Sequence, residues 1–218
     1  RQRVNARGTL SVIYNYVGNN KRADELIIEA VNMIDPTDSR FRETYVTAMN
    51  NYYLSAVKSG NHQNAINGYL ELIEFVENNF GKTSLIKLEL LNNLGFSYSS
   101  INDNEKALKY FLKAEELAKK FNNFRTLFTS RLNIADIYFY ETRIEEAYKY
   151  YQLALKVSQN ITHRYRIILY AGLTKVEAVL GNYDKAIDYG NKGLEVAKNL
   201  HGLNHPSNLQ LLESLALA

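Results

Sequence analysis

Apolar residues recur along the chain at steps of three and four, in paired segments divided by short turns. That step is the period of an amphipathic helix, so the chain reads as a row of helical hairpins. The pairs repeat on a fixed pattern. Ala23, Ala65, Ala107, Ala147 and Ala186 serve as anchors, spaced 42, 42, 40 and 39 residues apart. Five residues before each anchor stands a turn residue: Gly18, Gly60, Asn102, Thr142 and Gly181. Four after it stand Ile27, Tyr69, Phe111, Tyr151 and Gly190, and seven after it Ala30, Leu72, Ala114, Ala154 and Gly193. Small residues at the anchor and seven beyond it let two helices approach closely. The aromatics four beyond fill the gap between one hairpin and the next, which accounts by packing for much of the high tyrosine content.

The fold class expected is all-α, a solenoid of antiparallel helical hairpins in one continuous domain over residues 1–218. A hairpin cannot bury its apolar face alone, so neighbours must stack into a common core. The repeats fall at 3–35, 38–79, 83–120, 123–159 and 162–200, and the first helix of a sixth at 206–218. The sixth opens on Pro206, which suits a helix's first turn. Asp35-Pro36, Gly81 and Gly202 punctuate the joints. The chain opens on Arg1 rather than methionine and ends inside an apolar helical pattern, so a fragment of a longer protein is expected.

The third repeat reads Leu91, Leu94-Gly95, Tyr98, Ala107, Phe111, Ala114. It resembles the tetratricopeptide consensus; the first and fourth repeats match it well, and the second and fifth mainly at anchor and turn. The resemblance implies a right-handed superhelix whose first helices line a concave groove. The standard unit has about 34 residues, and the period here is about 40. Longer repeats of this kind resemble those of peptide-sensing regulators of low-GC Gram-positive bacteria and of kinesin light chains. Gly202-Leu203-Asn204-His205-Pro206 is similar to the Gly-x-x-His-Pro joint of the latter.

Charge and composition narrow the function. The balance of 26 basic and 23 acidic residues provides no concentrated basic stripe for nucleic acid. No apolar run approaches a membrane span. The absence of cysteine removes disulfides and thiolate chemistry and fits a cytoplasmic protein. Gly81-Lys82-Thr83 fails as a phosphate loop, because Val76 stands where a further glycine is needed. It reads as a turn with Thr83 or Ser84 capping the next helix. His201 and His205 have metal spacing but no third ligand nearby. His62 and His163 read as surface residues, Glu115-Glu116 and Glu145-Glu146 as solvated faces. Asn160-Ile161-Thr162 matches a glycosylation acceptor, but no secretory signal accompanies it. No catalytic residue, metal or cofactor is expected.

The first helices carry the candidate site. Fourteen residues before the anchors stand Thr9, Asn51, Asn93, Asn133 and Gly172; fifteen before stand Gly8, Asn50, Asn92, Leu132 and Ala171. Eleven before stand Val12, Leu54, Phe96, Asp136 and Lys175; seven before stand Tyr16, Lys58, Ser100, Tyr140 and Val179. Offsets of 18, 14, 11 and 7 before each anchor lie on one helical face, since the steps are four, three and four. An asparagine amide both donates and accepts, so a row of them can satisfy the backbone of an extended peptide without reading its sequence. Mid-helix asparagine also costs about half a kcal/mol against alanine. The candidate peptide-binding residues are Asn50, Asn51, Lys58, Asn92, Asn93, Phe96, Asn133, Asp136, Tyr140 and Lys175. Phe96, Tyr140 and Leu54 would hold side chains; Lys58, Lys175, Asp136 and Glu89 would select charge. The first three repeats offer only Lys58 on this face, unlike the clamp that reads chaperone carboxylates. The expected function is a peptide- or protein-binding module, the sensory or recruiting region of a larger bacterial regulator, with self-association possible. The alternative is a passive structural scaffold or self-association domain of a multidomain signalling protein.

Overall fold

The computed structural model describes residues 2–160, 163–200 and 208–216. They form helices and turns, with no strand among the described residues. The helices are α1 Gln2–Tyr16, α2 Asn20–Val31, α3 Arg42–Lys58, α4 His62–Phe80, α5 Lys87–Ser99, α6 Asn104–Lys120, α7 Phe124–Tyr140, α8 Ile144–Ser158, α9 His163–Val179, α10 Tyr183–Leu200 and α11 Leu209–Ala216. The chain divides into two compact units, Arg1–Tyr110 and Phe111–Ala218, with the boundary inside α6. Pro206, His201, Gly202 and His205 lie outside the described residues, as do Ile161, Thr162 and the side chain of His163.

The same turn joins the two helices of all five hairpins. The amides of Asn19, Asn61, Asp103, Arg143 and Asn182 donate to the carbonyls of Tyr14, Ala56, Tyr98, Tyr138 and Glu177, at 2.8–3.0 Å. The residue before each donor has positive φ: Gly18 (81°), Gly60 (82°), Asn102 (60°), Thr142 (58°) and Gly181 (75°). This is the Schellman closure, which satisfies carbonyls that a helix end leaves open. The carbonyl of each donor residue then receives the anchor alanine's amide, starting the second helix. All five anchors are fully buried. A side chain larger than methyl there would separate the two helices, which is why the alanine recurs.

In the second unit, Phe128, Leu132 and Ala135 of α7 pack with Ala147, Tyr151 and Ala154 of α8 and with Leu169, Leu173 and Val176 of α9. Among the described residues, three charged groups of this unit are buried, Glu115, Arg131 and Glu177, and Glu115 departs from expectation. Glu115 is 5% exposed, not on a solvated face. Its Oε1 accepts from Arg131 Nε and Lys119 Nζ, each at 2.9 Å, while Arg131 Nη1 donates to the Leu153 carbonyl at 2.8 Å. Burial pushes the Glu115 carboxyl up, but the two cations outweigh it and hold it below the usual range. Arg131 thereby ties α6, α7 and α8 together. Glu177, buried where the third and fourth repeats carry Tyr98 and Tyr138, accepts from Asn182 Nδ2 at 2.9 Å.

Two smaller expectations also need correction. Neither Thr83 nor Ser84 caps α5, which starts at Lys87 without a side-chain cap. The Lys87 and Leu88 amides instead donate to the Ser84 and Leu85 carbonyls, so the preceding turn does the capping. His62 is half-buried as the first residue of α4 rather than fully on the surface.

Thr142 is the one β-branched residue among the five turn positions, and its left-handed backbone is strained. Thr142→Gly is expected to raise stability by about 1 kcal/mol, read as a higher denaturant midpoint with unchanged slope.

Candidate functional site

Where it carries a tyrosine, the position four beyond an anchor lies on a second helix that packs against the next hairpin's first helix. Tyr69 and Tyr151 are buried there. A buried phenol must find an acceptor or lose its hydration uncompensated. Each hydroxyl reaches the polar stripe of the first helices and meets it there.

In the first unit, the Tyr69 hydroxyl donates to the Asn50 carbonyl at 3.1 Å. The Asn93 side chain lies within hydrogen-bonding reach of the same hydroxyl, and burial pushes the phenol well above its ordinary pKa. Asn93 Nδ2 donates to Asn50 Oδ1 at 2.8 Å, linking α5 to α3. Asn50 is buried and Asn93 half-buried, so this pair forms the floor of the stripe. Two of the expected ladder amides therefore meet each other. Asn51 and Asn92 are half-buried beside them. Lys58 is exposed in the last turn of α3, and Phe96 is 42% exposed on α5.

In the second unit, the Tyr151 hydroxyl donates to Asp136 Oδ1 at 2.5 Å. Its ring lies against Gly172 of α9, where an added Cβ would stand 2.4 Å from the ring edge. Gly172 is thus the place where the stripe gives up its side chain to seat the ring. Burial raises the Asp136 carboxyl to about 6, although the Tyr151 hydroxyl and the charge of Lys175 both pull it down. The structure thereby brings Asp136 and Lys175 of neighbouring first helices into electrostatic contact. Asn133 is half-buried one turn before Asp136, and Tyr140 is 74% exposed at the end of α7.

Spacing alone gives the stripe but not the tyrosines beneath it. The signal was the variation at the position four beyond the anchor: Ile27, Tyr69, Phe111, Tyr151, Gly190. Only two of these residues carry a hydroxyl, and both hydroxyls bond to the stripe. Among the described residues, no group of three or more His, Cys, Asp or Glu side chains could hold a metal, and no helix is long and apolar enough to cross a membrane.

Asp136 has a stability consequence of definite sign. Its folded pKa of about 6 lies above the ordinary 3.8, so the folded chain holds the proton more tightly. The stabilisation is full below the unfolded value and is lost as pH rises through about 6. Asp136→Asn keeps an acceptor for Tyr151 without the charge. It is expected to flatten the fall in stability between pH 4 and pH 7 and to raise stability at pH 7 by about 1–3 kcal/mol. Urea melts at the two pH values check both.

The family model for the tetratricopeptide repeat matches residues 44–120 and 126–199, well over half of the chain. Response regulator aspartate phosphatase I of Bacillus subtilis (strain 168) is 30% identical over 111 residues, 51% of this chain. The chain spans 28% of the length of that curated relative. The crystal structure of BtubC (BKLC) from P. vanneervenii superposes with a TM-score of 0.74 at 17% identity, over 93% of this chain and 82% of that one. A Rap protein complexed with Competence and Sporulation Factor gives a TM-score of 0.74 at 13% identity, over 88% of this chain and 52% of that one. Identities this low bear on fold alone, and the fold they share is the helical-hairpin solenoid described above. The repeat register, the five identical turns and the family match together establish that the chain belongs to the tetratricopeptide repeat family of protein-interaction modules.

Proposed function

We propose that the first-helix stripe binds an extended peptide or protein segment, and that the chain is the sensory or partner-recruiting part of a larger bacterial regulatory protein. The observation that carries the reading is the bracing of the stripe. Asn50, Asn93 and Asp136 are held from beneath by hydrogen bonds to buried tyrosines or to each other. Polar side chains in mid-helix cost stability, and neighbours that fix their rotamers add nothing that an apolar residue could not supply. Fixed donors and acceptors do, however, spare a ligand the entropy of ordering them. Asp136 and Lys175 add an acceptor and a cation on adjacent helices, and Phe96 and Tyr140 add exposed rings for side-chain contact. The similar Rap protein was solved as a complex with Competence and Sporulation Factor, and a resemblance to the phosphatase-named relative points to signalling.

Selection of a random dodecapeptide library on the intact chain tests this. Asn51→Ala, Asn93→Ala and Lys175→Ala are each expected to weaken the selected peptides about five- to tenfold, one lost hydrogen bond or charge contact apiece. Binding unchanged in the triple variant, at unchanged helicity, would remove the stripe as the ligand face.

A further inference from the structure

Where the first hairpin meets the second, the pattern of seated rings is broken. The residue four beyond the first anchor is Ile27, not an aromatic. A cleft of about 540 Å³ opens there, within the usual range for small-ligand sites. It is lined by Gly8 and Thr9 of α1, Ile27 of α2, and Thr44, Thr47 and Asn51 of α3.

The repeat register gives the cleft a chemical identity. At the next joint, the ring of Tyr69 fills the corresponding space. Its hydroxyl meets the Asn50 carbonyl, fifteen residues before its anchor, and the Asn93 amide, fourteen before the following one. The equivalents at the first joint are the carbonyl of Gly8 and the amide of Asn51, and both residues line the cleft. Asn93 has the Asn50 side chain as partner. The counterpart of Asn50 is Gly8, which has no side chain, and a Cβ built on Gly8 would meet nothing within 4 Å. The Asn51 side chain accordingly has no hydrogen-bond partner among the described residues. At the fifth hairpin the ring is also missing, but there Leu215 packs against Gly190 and fills the space. At the first joint Phe41 and Tyr45 pack against Val4, Ala30 and Ile34, and the cleft stays open beside them.

We infer that this cleft is a receptor for a phenol side chain, a tyrosine of the bound segment, which seats between α1 and α3 as Tyr69 seats between α3 and α5. The phenol hydroxyl donates to the Gly8 carbonyl and accepts from Asn51 Nδ2, while the ring packs on Ile27. The inference rests on the peptide-binding reading and adds to it a position and a side-chain class.

p-Cresol, the tyrosine side chain alone, tests it separately from any peptide. Titrated into the ¹⁵N-labelled chain, it should shift the backbone amides of Gly8, Thr9, Thr47 and Asn51 with millimolar affinity. Toluene, lacking the hydroxyl, should bind about fivefold more weakly. Ile27→Tyr supplies the ring from within, and is expected to raise Tm by about 2–4 °C and to weaken p-cresol at least tenfold. Should that variant not fold, Ile27→Phe occupies the same space and carries the same expectation for p-cresol. The inference is overturned if p-cresol leaves the cleft amides unmoved, if toluene binds as well as p-cresol, or if the filled variant binds p-cresol like the parent. If p-cresol behaves as stated while no library peptide is selected, the cleft stands and the peptide reading falls. If peptides are selected and depend on Asn93 but p-cresol moves nothing, the peptide reading stands and the cleft falls.

Discussion

Seating an aromatic ring between two stacked hairpins makes a demand on the helix it faces. That helix must either give up a side chain where the ring lies or offer a partner to whatever polar atom the ring carries. Both solutions occur in this chain. Gly172 gives up its side chain to the ring of Tyr151, and Asn93 and the Asn50 carbonyl serve the hydroxyl of Tyr69. The position four beyond the anchor alanine therefore sets the character of each joint. A tyrosine there couples the buried interface to the polar stripe, Gly190 yields the place to Leu215, and Ile27 leaves a cleft.

This coupling accounts for the electrostatics as well as the packing. Asp136 accepts from a buried phenol and sits near Lys175, yet burial still raises its carboxyl to about 6. Glu115 is also buried but is held low, because two cations converge on one of its oxygens. The difference is one of role. Glu115 and Arg131 tie three helices together in the interior, whereas Asp136 stands on the stripe with the Tyr151 hydroxyl and the charge of Lys175 as its partners.

Much of the fold was legible in the residues. The anchors, the turn positions and the small residues seven beyond each anchor follow from helix geometry and close approach, and the five turns close with the same hydrogen bonds. Thr142 was legible as a turn residue despite its poor fit, because the register around it is intact. The candidate site was legible as a face but not as a network. Spacing places Asn50 and Asn93 on one stripe, but it cannot show that they bond to each other across 43 residues. Nor does it show Glu115 buried, since that depends on Arg131 arriving from the next helix. Such pairings depend on how hairpins stack, and a single-helix pattern holds no record of the stacking.

Seated tyrosines brace the stripe through their hydroxyls. A double-mutant cycle on unfolding free energy with Tyr151→Phe and Asp136→Ala tests it most directly, because the ring stays in place and only the hydroxyl and its acceptor are removed. The account predicts a coupling of about 1–2 kcal/mol at pH 7. Additivity within about 0.5 kcal/mol would contradict it.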